Sequence, residues 1–176
     1  MKQAVKVTLI GLLFVTAFGG AAPQEKKMVD PPQMGPQEAE VQGLLLDREA
    51  QQPVIVLQGK RDKRSLTMVI GVAEATSIAA PLQGVLPRRP LTHDLFLTLF
   101  GKMKVTLKRV VITDLRDDVY YALLYLDVAG SEMTLDSRPS DAIGLALRAK
   151  APIFVEDRVF DKAGGIVPRP GPTPHF

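Results

Sequence analysis

The sequence predicts an α+β domain, a mainly antiparallel sheet with about three helices packed against it. Three observations lead there. Two long β-rich runs, Val105–Thr113 and Val119–Val128, are joined by a short charged turn. A third run, Glu132–Ser137, follows the Ala129-Gly130-Ser131 turn, so the three read as an antiparallel meander. Elsewhere, three segments have helical composition, and the order strands, two helices, strands, helix, strand segregates helices from the sheet instead of alternating with it.

The chain begins with the pattern of an export signal. Lys2 and Lys6 precede an apolar run, Val7 to Phe18, and Gly19-Gly20-Ala21-Ala22 supplies small residues for cleavage, giving a signal peptide over residues 1–22. That run is short for a spanning helix, which needs about 20 residues. The expected location is periplasmic or secreted, with no membrane span after cleavage and an N-terminal membrane anchor as the alternative. Residues 23–39 are polar and proline-rich and read as a linker. The domain is expected over residues 40–160, and residues 161–176 read as a disordered Pro/Gly tail that contains His175.

Composition removes several chemistries. There is no cysteine, hence no disulfide, thiolate metal site, lipid-bearing cysteine or cysteine nucleophile. Losing Lys2 and Lys6 with the signal lowers the formal charge from +3 to +1, weak for a non-specific nucleic-acid binder. The basic residues are clustered at Lys60–Arg64, Arg88-Arg89 and Lys102–Arg109, which would hold phosphates only if they converge.

Within the domain, Val41–Leu46 and Val54–Leu57 read as strands, Gly59–Arg64 as a charged turn, and Ser65–Ile70 as a strand with Leu66, Met68 and Ile70 on one face. Glu74–Gln83 has helical composition, but Pro81 should end or kink the helix. The next helix should run from His93 to about Phe100, with Thr92 as N-cap, Gly101 as stop, and Leu95, Phe96 and Leu99 in the core. Tyr121–Leu126 is apolar on both faces, so both sides of that strand should be covered, one of them by other chain segments or a second subunit. Homo-oligomerisation is expected on that ground alone. Ser140 should cap a nearly apolar helix, Asp141–Lys150, with Ile153–Val155 as closing strand.

Asp136, Arg138, Ser140 and Asp141 crowd at the mouth of that helix. Charges beside a core must be paired, so the cluster has either a capping role or a chemical one. Along the helix, Asp141, Gly144 and Arg148 form one narrow non-apolar stripe, and Gly144 leaves room for another group to approach.

RPLTHDL (Arg89–Leu95), VVITDLRDDVYYA (Val110–Ala122) and LDSRPSDAIGLALRAKAPIFV (Leu135–Val155) resemble the bifunctional nuclease domain family, in order and spacing. IGVAEATSIA (Ile70–Ala79), with Glu74, resembles its first helix. The resemblance implies hydrolysis of DNA and RNA. Two residues depart from the pattern, Pro81 in the first helix and Gly144 where alanine is usual. Many members are intracellular, whereas this chain carries an export signal.

Phosphodiester cleavage needs an activated nucleophile, neutralisation of phosphate charge and a protonated leaving group. The candidate catalytic residues are His93, Asp94, Asp136, Arg138 and Asp141, with His93 and Asp94 as acid or base and partner. Asp114 is expected near these acids. Arg89, Ser140 and Arg148 are candidates for substrate binding, and Arg138 for a two-pronged phosphate contact. Asp136 and Asp141 are the candidate ligands of Mg²⁺ or Mn²⁺. Each residue also has a structural reading as helix cap, first-turn acid or turn residue. The rival function is a non-catalytic oligomeric ligand- or protein-binding module of the cell envelope.

Overall fold

In a computed structural model, residues 35–47 and 51–164 are described. The signal peptide, residues 23–34 of the proline-rich linker, residues 48–50 and residues 165–176 lie outside the described residues. The strands are β1 (Gln37–Leu46), β2 (Pro53–Gly59), β3 (Ser65–Val69), β4 (Val105–Arg116), β5 (Val119–Val128), β6 (Ser131–Ser137) and β7 (Ile153–Val155). The helices are α1 (Val72–Leu82), α2 (Thr92–Lys102), α3 (Pro139–Ala149) and α4 (Asp157–Lys162). The fold is α+β. Among the described residues, no helix is long and apolar enough to cross a membrane.

One seven-stranded sheet has the order β3-β2-β1-β7-β4-β5-β6. It consists of two antiparallel meanders, with β7 inserted between them, antiparallel to β1 and parallel to β4. The expected alternation of Leu66, Met68 and Ile70 is present, all three being buried. A single apolar cluster joins Ile55, Leu57, Ile78, Val110, Ile112, Ala122, Leu124, Leu126, Ile143 and Ala146. Tyr120 ties the two meanders by donating from its hydroxyl to the carbonyl of Thr67 at 2.9 Å.

The β5 strand is buried on one face, through Ala122, Leu124 and Leu126, while Tyr121, Leu123 and Tyr125 are half-buried on the other. Within the chain the second face is therefore only partly covered. Arginines roof that second face, Arg109 lying 3.8 Å from the Tyr125 ring centre and Arg116 4.1 Å from that of Tyr121.

Several boundaries differ from expectation for definite reasons. β1 starts at Gln37, because Gln37–Ala39 pair with β7 and Gln37 is buried among Asp62, Arg61 and Asp157. Thr92 is the first helical residue of α2, not its cap. Leu91 is the cap, and the Asp94 carboxylate accepts its backbone N–H at 2.8 Å. Gly101 lies inside α2, and Leu95, Phe96 and Leu99 face solvent, since α2 turns toward the protein the face bearing His93 and Leu97. Ser140 is likewise inside α3, where Arg138 is the cap and Pro139 supplies the pre-set φ of the first turn.

Candidate functional site

Helices α1, α2 and α3 meet on one face of the sheet, and between them is a cleft of about 400 Å³. It is lined by Ala73, Glu74, Thr76 and Ser77 from α1, Leu91, Thr92 and His93 at the start of α2, and Arg138 and Asp141 at the start of α3. Helix N-termini bring the last two groups there, because polar and acidic residues are favoured where backbone N–H groups are free.

His93 is the centre of this arrangement. Its ring is buried, with Nδ1 2.7 Å from the Ser77 hydroxyl and Nε2 3.4 Å from Asp141 Oδ1. Gly144 makes this placement feasible, since a Cβ there would sit 2.8 Å from Nε2. Burial, then the nearby Arg148 charge, lowers the His93 pKa against the opposing pull of Asp141 and Asp94. The ring is therefore neutral at neutral pH.

Arg138 closes the mouth of the cleft. Its Nε donates to Asp141 Oδ2 at 2.6 Å and its Nη2 to Asp141 Oδ1 at 3.1 Å, while Nη2 also lies 3.0 Å from Glu74 Oε1. The hydrogen bonds to Asp141 raise its pKa further, so the guanidinium stays charged. With 65% of its side chain exposed, it is the cation best placed to meet an incoming anion.

Arg148 has a different task. Only 8% of its side chain is exposed, and its donors point inward, Nε to Asp94 Oδ1 at 2.8 Å and Nη1 to the Ser77 and Gly144 carbonyls at 2.8 and 3.0 Å. The Ser77 carbonyl is open because the residue four positions on is Pro81, which has no N–H to offer it. The departure at Pro81 and the arginine of α3 thus compensate one another. For Asp94, burial pushes the pKa up, but the Leu91 N–H and Arg148 outweigh it and hold the carboxyl below its ordinary value.

Of the expected site residues, His93, Arg138 and Asp141 converge in the cleft, and Asp94 stands one step behind through Arg148. Glu74, expected only through the family pattern, joins them. Asp136 does not. It pairs with Leu123 across the sheet, whereas the helix-facing residues of β5 pair with Ser137, Leu135 and Met133. Paired residues share a face, so Asp136 projects away from the helices. The register thus turns Asp136 to the side of the sheet opposite the helix that carries Asp141. Among the described residues no group of three or more His, Asp or Glu is arranged for an ion.

Asp114 is outside the cleft too, held by Lys162 Nζ at 2.6 Å and the Leu115 N–H at 2.9 Å. Ser140 is buried in the first turn of α3 and does not line the cleft. Arg89 is exposed on the loop between α1 and α2, also outside the lining. Two of the basic clusters are occupied by acids: Arg61 and Arg64 by Asp157, and Lys108 and Arg109 by Asp127 and Glu132.

Ser77 was not foreseen. Its signal lay in the i, i+4 relation to Pro81, which frees its carbonyl, and in its place three residues after Glu74 on the helix face that meets α2 and α3.

The family described as bifunctional nuclease domain matches residues 55–167. An uncharacterized protein of Mycobacterium tuberculosis is 40% identical over 131 residues, covering 74% of this chain and 78% of that protein. Bifunctional nuclease 1 of Oryza sativa subsp. japonica is 34% identical over 138 residues, 76% of this chain and 41% of the rice protein. Bifunctional nuclease 2 of Arabidopsis thaliana is 34% identical over 119 residues, 65% of this chain but 36% of its own length. The match therefore spans less than half of these plant proteins.

Proposed function

The chain belongs to the bifunctional nuclease domain family, and on that premise we propose that it hydrolyses phosphodiester bonds of DNA and RNA in the cleft between α1, α2 and α3. The observation that carries this reading is the exposed Arg138 guanidinium at the cleft mouth, beside the His93–Asp141 pair. A substrate phosphate competes with Glu74 and Asp141 for the guanidinium, which is shaped to hold two oxygens at once. When Arg138 turns to phosphate, the Asp141 carboxylate is released next to His93, and this pair handles the proton of the attacking water. With the export signal expected from the sequence, the substrate of this reading is nucleic acid reaching the envelope or medium.

The test is steady-state cleavage of labelled single- and double-stranded DNA and RNA, with Mg²⁺, Mn²⁺ or chelator. Arg138→Ala should lower kcat/KM by about 10–100-fold, the worth of one charge-assisted contact. Arg138→Lys should recover part of it. Equal cleavage by wild type and Arg138→Ala would remove the phosphate contact from the reading.

One observation favours a second reading, an interaction module. Leu95, Phe96 and Leu99 form an exposed apolar face on α2, Met103 at its C-cap is exposed as well, and Leu86 in the preceding loop is 92% exposed. Light scattering across a concentration series tests it. A strict monomer, together with cleavage by the wild type, would dismiss this reading.

A further inference from the structure

Ser77 is a buried hydroxyl that none of the steps above uses, yet it touches the one histidine of the domain. Its Oγ lies 2.7 Å from His93 Nδ1, and its carbonyl is held by Arg148 Nη1 at 2.8 Å, so the residue is fixed at both ends. The other ring nitrogen, Nε2, faces Asp141 Oδ1 at 3.4 Å. A neutral imidazole carries one proton, and the two neighbours decide where. With the proton on Nδ1, the Nε2 lone pair would face a carboxylate, two negative regions in a poorly solvated pocket. With the proton on Nε2, the ring N–H points at the carboxylate, and Nδ1 accepts from the Ser77 hydroxyl 2.7 Å away.

We propose that Ser77 is a positioning residue: its hydroxyl donates to Nδ1 of His93, fixes the ring proton on Nε2, and leaves the Asp141 carboxylate as the group that accepts a proton in the cleft. Gly144 contributes by letting the ring lie against α3, where a Cβ would displace Nε2 from Asp141. His93 then acts through Asp141, orienting a carboxylate that Arg138 uncovers. In the hydrolysis proposed above, the attacking water bonds to phosphorus and gives its proton to Asp141 as the P–O bond to the leaving sugar oxygen breaks. That oxygen takes a proton from solvent, and Asp141 returns its own to solvent. The acceptor role rests on the phosphodiesterase reading; the position of the ring proton does not.

The chain has two histidines, so two-bond ¹H–¹⁵N correlation of the imidazole rings in the ¹⁵N-labelled full chain is simple to read, and His93→Gln assigns the signals by loss. Wild-type His93 should show a protonated Nε2 and a bare Nδ1. Ser77→Ala should move these signals toward a mixture of tautomers in a still-folded chain. A wild-type ring protonated at Nδ1 would overturn the proposal, with or without activity. In cleavage assays His93→Gln, whose side-chain amide offers an N–H near the Nε2 position, should lower kcat by about tenfold, the cost of a less well oriented Asp141 carboxylate. A loss of about 10³-fold or more would make His93 itself the acceptor. Covalent labelling of Ser77 by a fluorophosphonate would make it a nucleophile and likewise overturn the positioning role. A chain that cleaves nothing defeats the nuclease reading, while the ring spectrum still decides the tautomer.

Discussion

At the scale of single residues, the site depends on a neutral histidine kept among charges. The His93 pKa lies below its ordinary value of 6.5 because of burial and Arg148, so the unfolded chain binds a proton there that the folded one refuses. Stability from this residue is therefore complete above about pH 6.5 and is lost as pH falls below it toward the folded value. Thermal melts from pH 8 to 4 should show that loss in wild type and a flatter curve in His93→Gln. An unchanged slope would contradict the assignment. Asp94, also lowered, acts in a separate window, losing its contribution as pH falls below its ordinary 3.8. Gly144→Ala should cost about 1–3 kcal/mol by overpacking against the His93 ring and should shift the ring's NMR signals. The charge cluster at 136–141 was visible in the sequence, but its geometry was not. Asp136 lies only two positions from Arg138, yet strand register sends it to the opposite face of the sheet.

At the scale of elements, compensation between neighbours explains what the pattern alone left open. Strand positions were legible from β-branched runs and turn residues, and α3 from its apolar length. Helix starts were not. Thr92 and Ser140 have the chemistry of caps, but the Asp94 carboxylate accepting the Leu91 N–H and a proline at the first helical position start α2 and α3 one or two residues away. The short α4 was concealed by the basic turn that anchors it. Buried Asp157 takes two bonds from Arg61 Nη2, at 2.7 and 2.9 Å, and a further contact from Arg64, clasping the β2–β3 turn to the end of the fold. Asp157→Asn should lower stability by about 1–3 kcal/mol, because the arginines are a third exposed and rehydrate in part. A urea midpoint shift with unchanged slope would measure it, and no shift would make the clasp ornamental. Pro81→Ala gives the Ser77 carbonyl an N–H partner within α1, so the Arg148 contact should weaken while the helix itself gains.

At the scale of the whole molecule, the candidate cleft forms where α3, the connection from β6 to β7, meets α1 and α2. The fold class followed from element order. The exposed apolar face of α2 did not, because Leu95, Phe96 and Leu99 look like core residues until the facing helix is known to meet the other side. The central claim is that chemistry occurs on the helix side of the sheet, at Asp141, and not at Asp136. Cleavage of labelled single-stranded DNA and RNA by wild type, Asp141→Asn and Asp136→Asn, each confirmed folded by circular dichroism, tests it most directly. The account predicts a loss of about 10²–10⁴-fold for Asp141→Asn and near-wild-type rates for Asp136→Asn. Full activity in Asp141→Asn, or equal loss in both variants, would contradict it.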